Sequence, residues 1–193
     1  MTIEEARNRV RLIIDKEDTA YLSNTEIDGF VEMGVDEFVQ QYYMGFETSQ
    51  DNRDKLQKIV ESEEIDSQES PQLDLSSLSV AYGRLLSLSF TLAPFTNIKI
   101  IQLADLSSYT HDPFNKWSEE YPIAYVQKNH IYFKGWEGTK SVLVKYLKNT
   151  SNITDLSLHT HEEVCQISAR KVLATLGDPR YQMIQSELTE RRV

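Results

Sequence analysis

The stretch Leu86-Ser87-Leu88-Ser89-Phe90-Thr91-Leu92-Ala93-Pro94 decides the reading of the fold. Leu86, Leu88, Phe90 and Leu92 alternate with Ser87, Ser89, Thr91 and Ala93, the two-residue period of a strand with one buried face. Pro94 ends it, having no N–H to give to a ladder. Downstream the same period recurs. Residues 98–103 form a second strand candidate. Residues 124–127 and 130–133 read as a hairpin closed at Lys128-Asn129, where Asn tolerates a positive φ. Val142, Val144 and Tyr146 then alternate with Leu143, Lys145 and Leu147. Pro113 and Pro122 bracket an irregular aromatic stretch with Phe114, Trp117 and Tyr121. This middle region predicts a small antiparallel sheet of about four or five strands.

Upstream the period is helical. Ile3, Ala6, Val10, Ile13 and Ile14 make one apolar face over 2–16, with Arg7, Asn8 and Arg11 facing water. Ser23 stands three residues before Glu26, a capping-box spacing that starts a second helix. Its stripe of Ile27, Phe30, Val31, Val35, Phe38, Val39 and Tyr42 reaches about Met44. Gly29 and Gly34 inside it each cost about 1 kcal/mol relative to Ala, which predicts close approach by a neighbouring helix. A third helix is expected over 50–60. Residues 61–71 are acidic, serine-rich and nearly free of apolar groups, so they read as a mobile linker.

Helix returns near Thr160, which forms a second capping box with Glu163. Val164, Ile167, Val172, Leu173 and Leu176 supply its apolar positions, and Gly177 suits a left-handed C′ residue. Asp178 and Pro179 are placed to open a last helix carrying Tyr181, Ile184 and Leu188. The expected fold class is therefore α+β: a helical bundle of about five helices in the first and last thirds, with a small antiparallel β domain inserted. The expected divisions are 1–62 for the N-terminal helices, 63–79 for the acidic linker, 80–150 for the β insertion and 151–193 for the closing helices.

The chain carries a net charge of −10, with 20 basic against 30 acidic residues. That argues against gripping nucleic acid through a basic patch. The single cysteine, Cys165, cannot form an internal disulfide, which suits a reducing cytoplasm. It sits among Val164, Ile167 and Ala169, so a buried, inert thiol is expected. No apolar run reaches the roughly 18–20 residues of a membrane span, and the acidic stretch Met1-Thr2-Ile3-Glu4-Glu5 is not expected to serve as a secretory signal.

Chemistry is sparsely signalled. His159, His161, Glu162 and Glu163 are the nearest approach to a metal cluster, yet histidines two apart at a helix start diverge, where ligation on a helix favours i and i+4. His111-Asp112 lacks a nucleophile elbow, and no phosphate-cradling glycine motif occurs. The expectation is no catalytic, metal or cofactor-binding residues. Trp117, Tyr121, Trp136 and the Tyr42-Tyr43 pair are candidate contact anchors, since Trp and Tyr dominate interface hot spots, but ordinary packing explains them equally well. The candidate interface set is Tyr42, Tyr43, Trp117, Trp136, Tyr181, Ile184 and Leu188.

Three stretches carry a resemblance. Arg9-Val10-Arg11-Leu12 through Asp15, then Leu22-Ser23-Asn24-Thr25-Glu26-Ile27, gives a helix, a short acidic gap and a capped second helix. Tyr121-Pro122-Ile123-Ala124-Tyr125, His130-Ile131-Tyr132-Phe133 and Val142 through Leu147 follow in order. His161 through Leu176 leads into Gly177-Asp178-Pro179-Arg180-Tyr181-Gln182. In that order they resemble the head-to-tail adaptor (connector) proteins of tailed bacteriophages, and the long second helix with its acidic segment looks similar to ring proteins of crAss-like phages. The resemblance implies a non-enzymatic virion subunit at the head-to-tail junction, assembled in the host cytoplasm. It implies a closed ring of about twelve copies that contacts the portal protein and a downstream tail or ring protein, with DNA passing through unread. A tail-completion or terminator component, or a protein-binding module presenting Trp117 and Trp136, are the alternatives.

Overall fold

The computed structural model describes residues 1–14, 22–68, 71–91, 96–111, 116–136, 140–178, 184 and 188. The chain divides into two compact units, one built from Met1–Ile59 with Thr150–Val193, the other from Val60–Asn149.

The first unit is helical. Helices α1 (Ile3–Ile13) and α2 (Asn24–Tyr43) each open with a full capping box, Thr2 with Glu5 and Ser23 with Glu26. Each box satisfies two backbone N–H groups that a helix start leaves unpaired. Helix α3 (Gln50–Leu56) is shorter than the 50–60 reading, because residues 57–59 tighten into a 3₁₀ turn. Helix α5 (His161–Leu176) ends at Gly177 with φ +66°, the left-handed C′ residue foreseen. Its start differs from expectation. Thr160 makes no side-chain cap; its hydroxyl donates to the Ser157 carbonyl at 2.8 Å, within the 3₁₀ turn that leads into the helix.

Val10, Val31, Val35, Phe38, Val164 and Val172 are fully buried and supply much of the core here. Gly34 sits where α2 meets α5: a Cβ there would clash with the Ser168 hydroxyl and lie 3.2 Å from the Val164 carbonyl. Gly29 meets nothing within 4 Å. Close helix approach therefore accounts for one glycine and not the other. Arg7, read as facing water, instead forms a two-pronged pair with Asp28, at 2.9 and 2.7 Å. Of the last helix, Ile184 and Leu188 are helical and buried; Tyr181 lies outside the described residues.

The second unit overturns the expected fold class. The chain is not a helical bundle with a small antiparallel β insert. Its sheet has seven strands in the order β1-β7-β3-β4-β5-β6-β2, curled into a half-barrel and occupying much of the sequence. The strands are β1 (Val60–Gln68), β2 (Gln72–Asp74), β3 (Tyr82–Phe90), β4 (Thr96–Ile100), β5 (Ile123–Gln127), β6 (His130–Lys134) and β7 (Lys140–Lys148). The sheet is mixed, because β4 and β5 run parallel. A short helix, α4 (Leu106–His111), lies in the β4–β5 connection.

The missed strands explain the error. The acidic linker expected over 63–79 is largely structured: β1 pairs with β7 from Val60↔Leu147 to Ile65↔Val142. Between Val60 and Ile65 only Ile65 is packed against the core, so β1 has no apolar alternation to betray it. β2 is three residues long and pairs with β6. In β3, register shifts lie between Tyr82 and Arg84 and between Leu85 and Ser87. The second changes which face each residue takes, so that Leu85, Leu88 and Phe90 are buried while Leu86 is not.

After β2, residues 75–80 run from the β6 end of the sheet to β1. Leu75 N–H donates to the Asn129 carbonyl at 2.8 Å near the β6 end. Ser79 donates its N–H and hydroxyl to Glu63 Oε2 of β1 at 2.9 and 2.8 Å. Between these anchors Leu75 and Leu78 are buried among Leu88, Phe133, Val144 and Tyr146. The crossing segment thus closes the apolar interior that an open sheet would expose to water.

The hairpin of β5 and β6 is covered on both faces. Ala124, Ile131 and Phe133 point into the half-barrel, whereas Ile123 and Tyr125 pack with Leu106, Tyr109 and Trp117 on the outside. Lys128 closes the turn with φ +55°, so the left-handed residue is the lysine, not Asn129.

Candidate functional site

The candidate anchors are mostly used inside their own units. Tyr42 is buried at the end of α2. Its hydroxyl donates to Glu163 Oε1 and accepts from Lys55 Nζ at 2.9 Å, with the ammonium 4.1 Å from the ring centre. Burial, then the bond to Glu163, raises the tyrosine above its usual range. Burial works to lower Lys55, but its bonds to Tyr42 and Asp51 outweigh that and hold it up. Glu163 is thus a tertiary partner and not the capping residue expected of it. Tyr43 is half-buried.

Trp136 packs edge-on against Phe90 at 5.3 Å between ring centres, and against Phe133 at 4.9 Å. Trp117 lies partly buried in the outer cluster with Ile101, Ile123 and Tyr125. Ile184 and Leu188 are buried. Sequence reasoning recognised these side chains as contact-makers, and the contacts it brings together are internal ones.

The histidines diverge as expected. His159 is exposed, while His161 is buried with Nε2 3.1 Å from the Leu156 carbonyl. Burial lowers His161 below its ordinary value, and its Nδ1 meets no partner. The neutral ring with its proton on Nε2 fits that arrangement. Cys165 is buried, and desolvation pushes its thiol up to about 12. A thiol so placed is not a nucleophile. Among the described residues no group of three or more His, Cys, Asp or Glu could hold a metal, and no helix is long and apolar enough to cross a membrane. His111 is exposed at the end of α4; Asp112 lies outside the described residues.

Two features escaped the sequence. The first is a set of large apolar side chains left in water on the helical unit: Leu12 at 53%, Met33 at 51%, Met44 at 85% and Leu158 at 78% exposure. Leu12 and Met44 are far apart. Arg11 bonds Asn24 at 2.7 Å, which ties the end of α1 to the start of α2. Met44 caps the other end of that twenty-residue helix, roughly 30 Å away by helix rise. No periodicity marks them as a set: Leu12 lies on α1, Met33 within α2, Met44 at its C-cap and Leu158 in the 3₁₀ turn before α5.

The second is a cavity of about 360 Å³ on the outer face of the half-barrel, lined by Asn97, Lys99, Tyr109, Lys116, Glu120, Tyr121, Pro122 and Ile123. Lys99 Nζ stands 5.0 Å from the centre of the Tyr109 ring. Tyr121 is 73% exposed. The lysines come from β4 and from the loop before β5, too far apart in sequence to read as a pair. No protein-family model matches this sequence, and a search of curated proteins returns no match to it.

Proposed function

We propose that the chain is a structural subunit of a tailed-phage virion: a head-to-tail adaptor that closes into a ring below the portal and carries the DNA channel onward. The observation that carries the reading is the pair of separated exposed apolar sites, Leu12 at the end of α1 and Met44 at the far end of α2. A ring of identical subunits joins two different faces of each copy. Such a subunit needs apolar anchors at two separated places, where a two-fold dimer needs one self-complementary patch. The order of motifs along the chain adds support, and the net charge of −10 favours a lumen past which DNA slides without sticking.

Electron microscopy with two-dimensional averaging tests this, on the purified protein and on particles from its native lysate. Rotationally symmetric rings, or density for the chain beneath a portal, are the expected result. A chain that stays monomeric and is absent from purified virions overturns the proposal. A monomer that captures a single peptide would instead support the binding-module reading.

A further inference from the structure

The outer cavity lies where the sheet forks. β4 pairs with β3 through 96–98 and with β5 only at Lys99↔Ile123 and Ile100↔Ala124. Lys99 N–H donates to the Pro122 carbonyl at 3.1 Å and Ile101 N–H to Ala124 at 2.9 Å. Alternate residues of a strand aim their main-chain groups to the same side, so Asn97 points its N–H and carbonyl toward β5 as well. The ladder donor due to the Asn97 carbonyl is residue 122. That residue is proline, which has no N–H. Pro122 therefore stops the parallel ladder one step short and leaves the Asn97 main chain open at the cavity.

The charges around this edge run against those of the chain. Neither Lys99 nor Lys116 has an ion-pair partner among the described residues. Among the described lining residues, two ammoniums less the Glu120 carboxylate leave one net positive charge in a protein whose total is −10. A single positive charge suits a carboxylate better than a polyphosphate, which needs several. Ile123 and Pro122 supply apolar floor, and Tyr109 and Tyr121 supply aromatic walls of the kind that anchor partner side chains.

We propose that this cavity is a docking slot for an extended acidic segment of a partner protein, which lies along the open β4 edge at Asn97 and sets a carboxylate between Lys99 and Lys116. Main-chain bonds to the edge give affinity and the lysines select the charge, as in strand addition generally. The inference stands whether or not the chain is a ring subunit, since it needs only the β unit.

Fluorescence anisotropy of a dye-labelled, blocked peptide of alternating Asp and Phe tests it on the full-length chain in any oligomeric state. Binding is expected at roughly millimolar affinity or tighter, weakening with added salt. Lys99→Gln with Lys116→Gln is expected to weaken it roughly tenfold, and Lys116→Glu, a loop change outside the strands, to do at least as much. The control pair Lys128→Gln with Lys134→Gln is expected to leave it unchanged, and circular dichroism to match the parent for all variants. Equal weakening by the control pair would reduce the effect to general charge attraction and overturn the slot. So would equal binding of an Asn-Phe peptide, full competition by free succinate at the same carboxylate concentration, or no binding of the Asp-Phe peptide.

Discussion

Gly34 of α2 packs directly against Ser168 of α5, whose hydroxyl donates to the Val164 carbonyl at 2.8 Å and occupies the space a side chain at 34 would need. Gly34→Ala is expected to destabilise the protein by about 1–3 kcal/mol through overpacking. Adding Ser168→Ala is expected to recover part of the loss, a coupling that a double-mutant cycle in thermal melting would show. Gly29→Ala, with open space around it, is expected to do the reverse and stabilise by about 1 kcal/mol from helix propensity. Equal effects at the two sites would refute the contrast.

The ring proposal makes a prediction of its own at the exposed ends of α1 and α2. Leu12→Lys and Met44→Lys are each expected to abolish assembly in sedimentation velocity while leaving the melting temperature within a few degrees, since neither side chain is in the core. Loss of folding in place of loss of assembly would show that these residues pack within the subunit after all.

The Glu63–Ser79 contact predicts an acid-sensitive sheet. Hydrogen bonds from Ser79 hold the Glu63 carboxyl below its ordinary 4.5. A depressed carboxylate contributes its stability fully above the unfolded value and loses it as pH falls through the folded one. Glu63→Gln is expected to lower stability near neutrality by about 1 kcal/mol, discounted for its partial exposure. It is also expected to flatten the acid limb of the melting profile below about pH 4.5. A variant whose profile overlays the parent's would count against the anchor.

His161 works in a higher pH window. Its buried ring is lowered from 6.5, so acidification protonates the unfolded chain first and folding loses stability as pH drops below about 6.5. His161→Gln removes the titration and keeps a donor for the Leu156 carbonyl. It is expected to lessen the slope of melting temperature between about pH 5 and 6.5. An imidazole titration at or above 6.5 by NMR would contradict the burial argument.

The helices were legible because their signals are local. The Ser23–Glu26 box, the stripe from Ile27 to Tyr42 and the glycine at 177 each work within a few residues of chain. The hairpin at Lys128-Asn129 was legible for the same reason. What the sequence hid is long-range. β1 is acidic and half-exposed, and it is a strand only because β7 lies beside it, some eighty residues later. The shift at Leu86 cannot be seen without its partner strand. Arg7, Tyr42 and Glu163 were given local roles, yet their partners lie on other elements of the folded unit. The cavity is harder still, since it exists because Pro122 interrupts a ladder that the sequence does not announce.

The helical unit is woven from both ends of the chain, and that shapes how it is made. Arg9 waits for Glu162, and α2 waits for α5. A ribosome adding roughly 5–20 residues per second leaves Val31, Val35 and Phe38 without their α5 partners for about ten seconds after they emerge. The half-barrel, contiguous in sequence, can fold in that interval. A nascent chain broken off at Asn149 would carry a finished sheet beside sticky, unclosed helices, the kind of product that chaperones and proteases intercept. The topology therefore commits the cell to completing this chain before its first helices can settle.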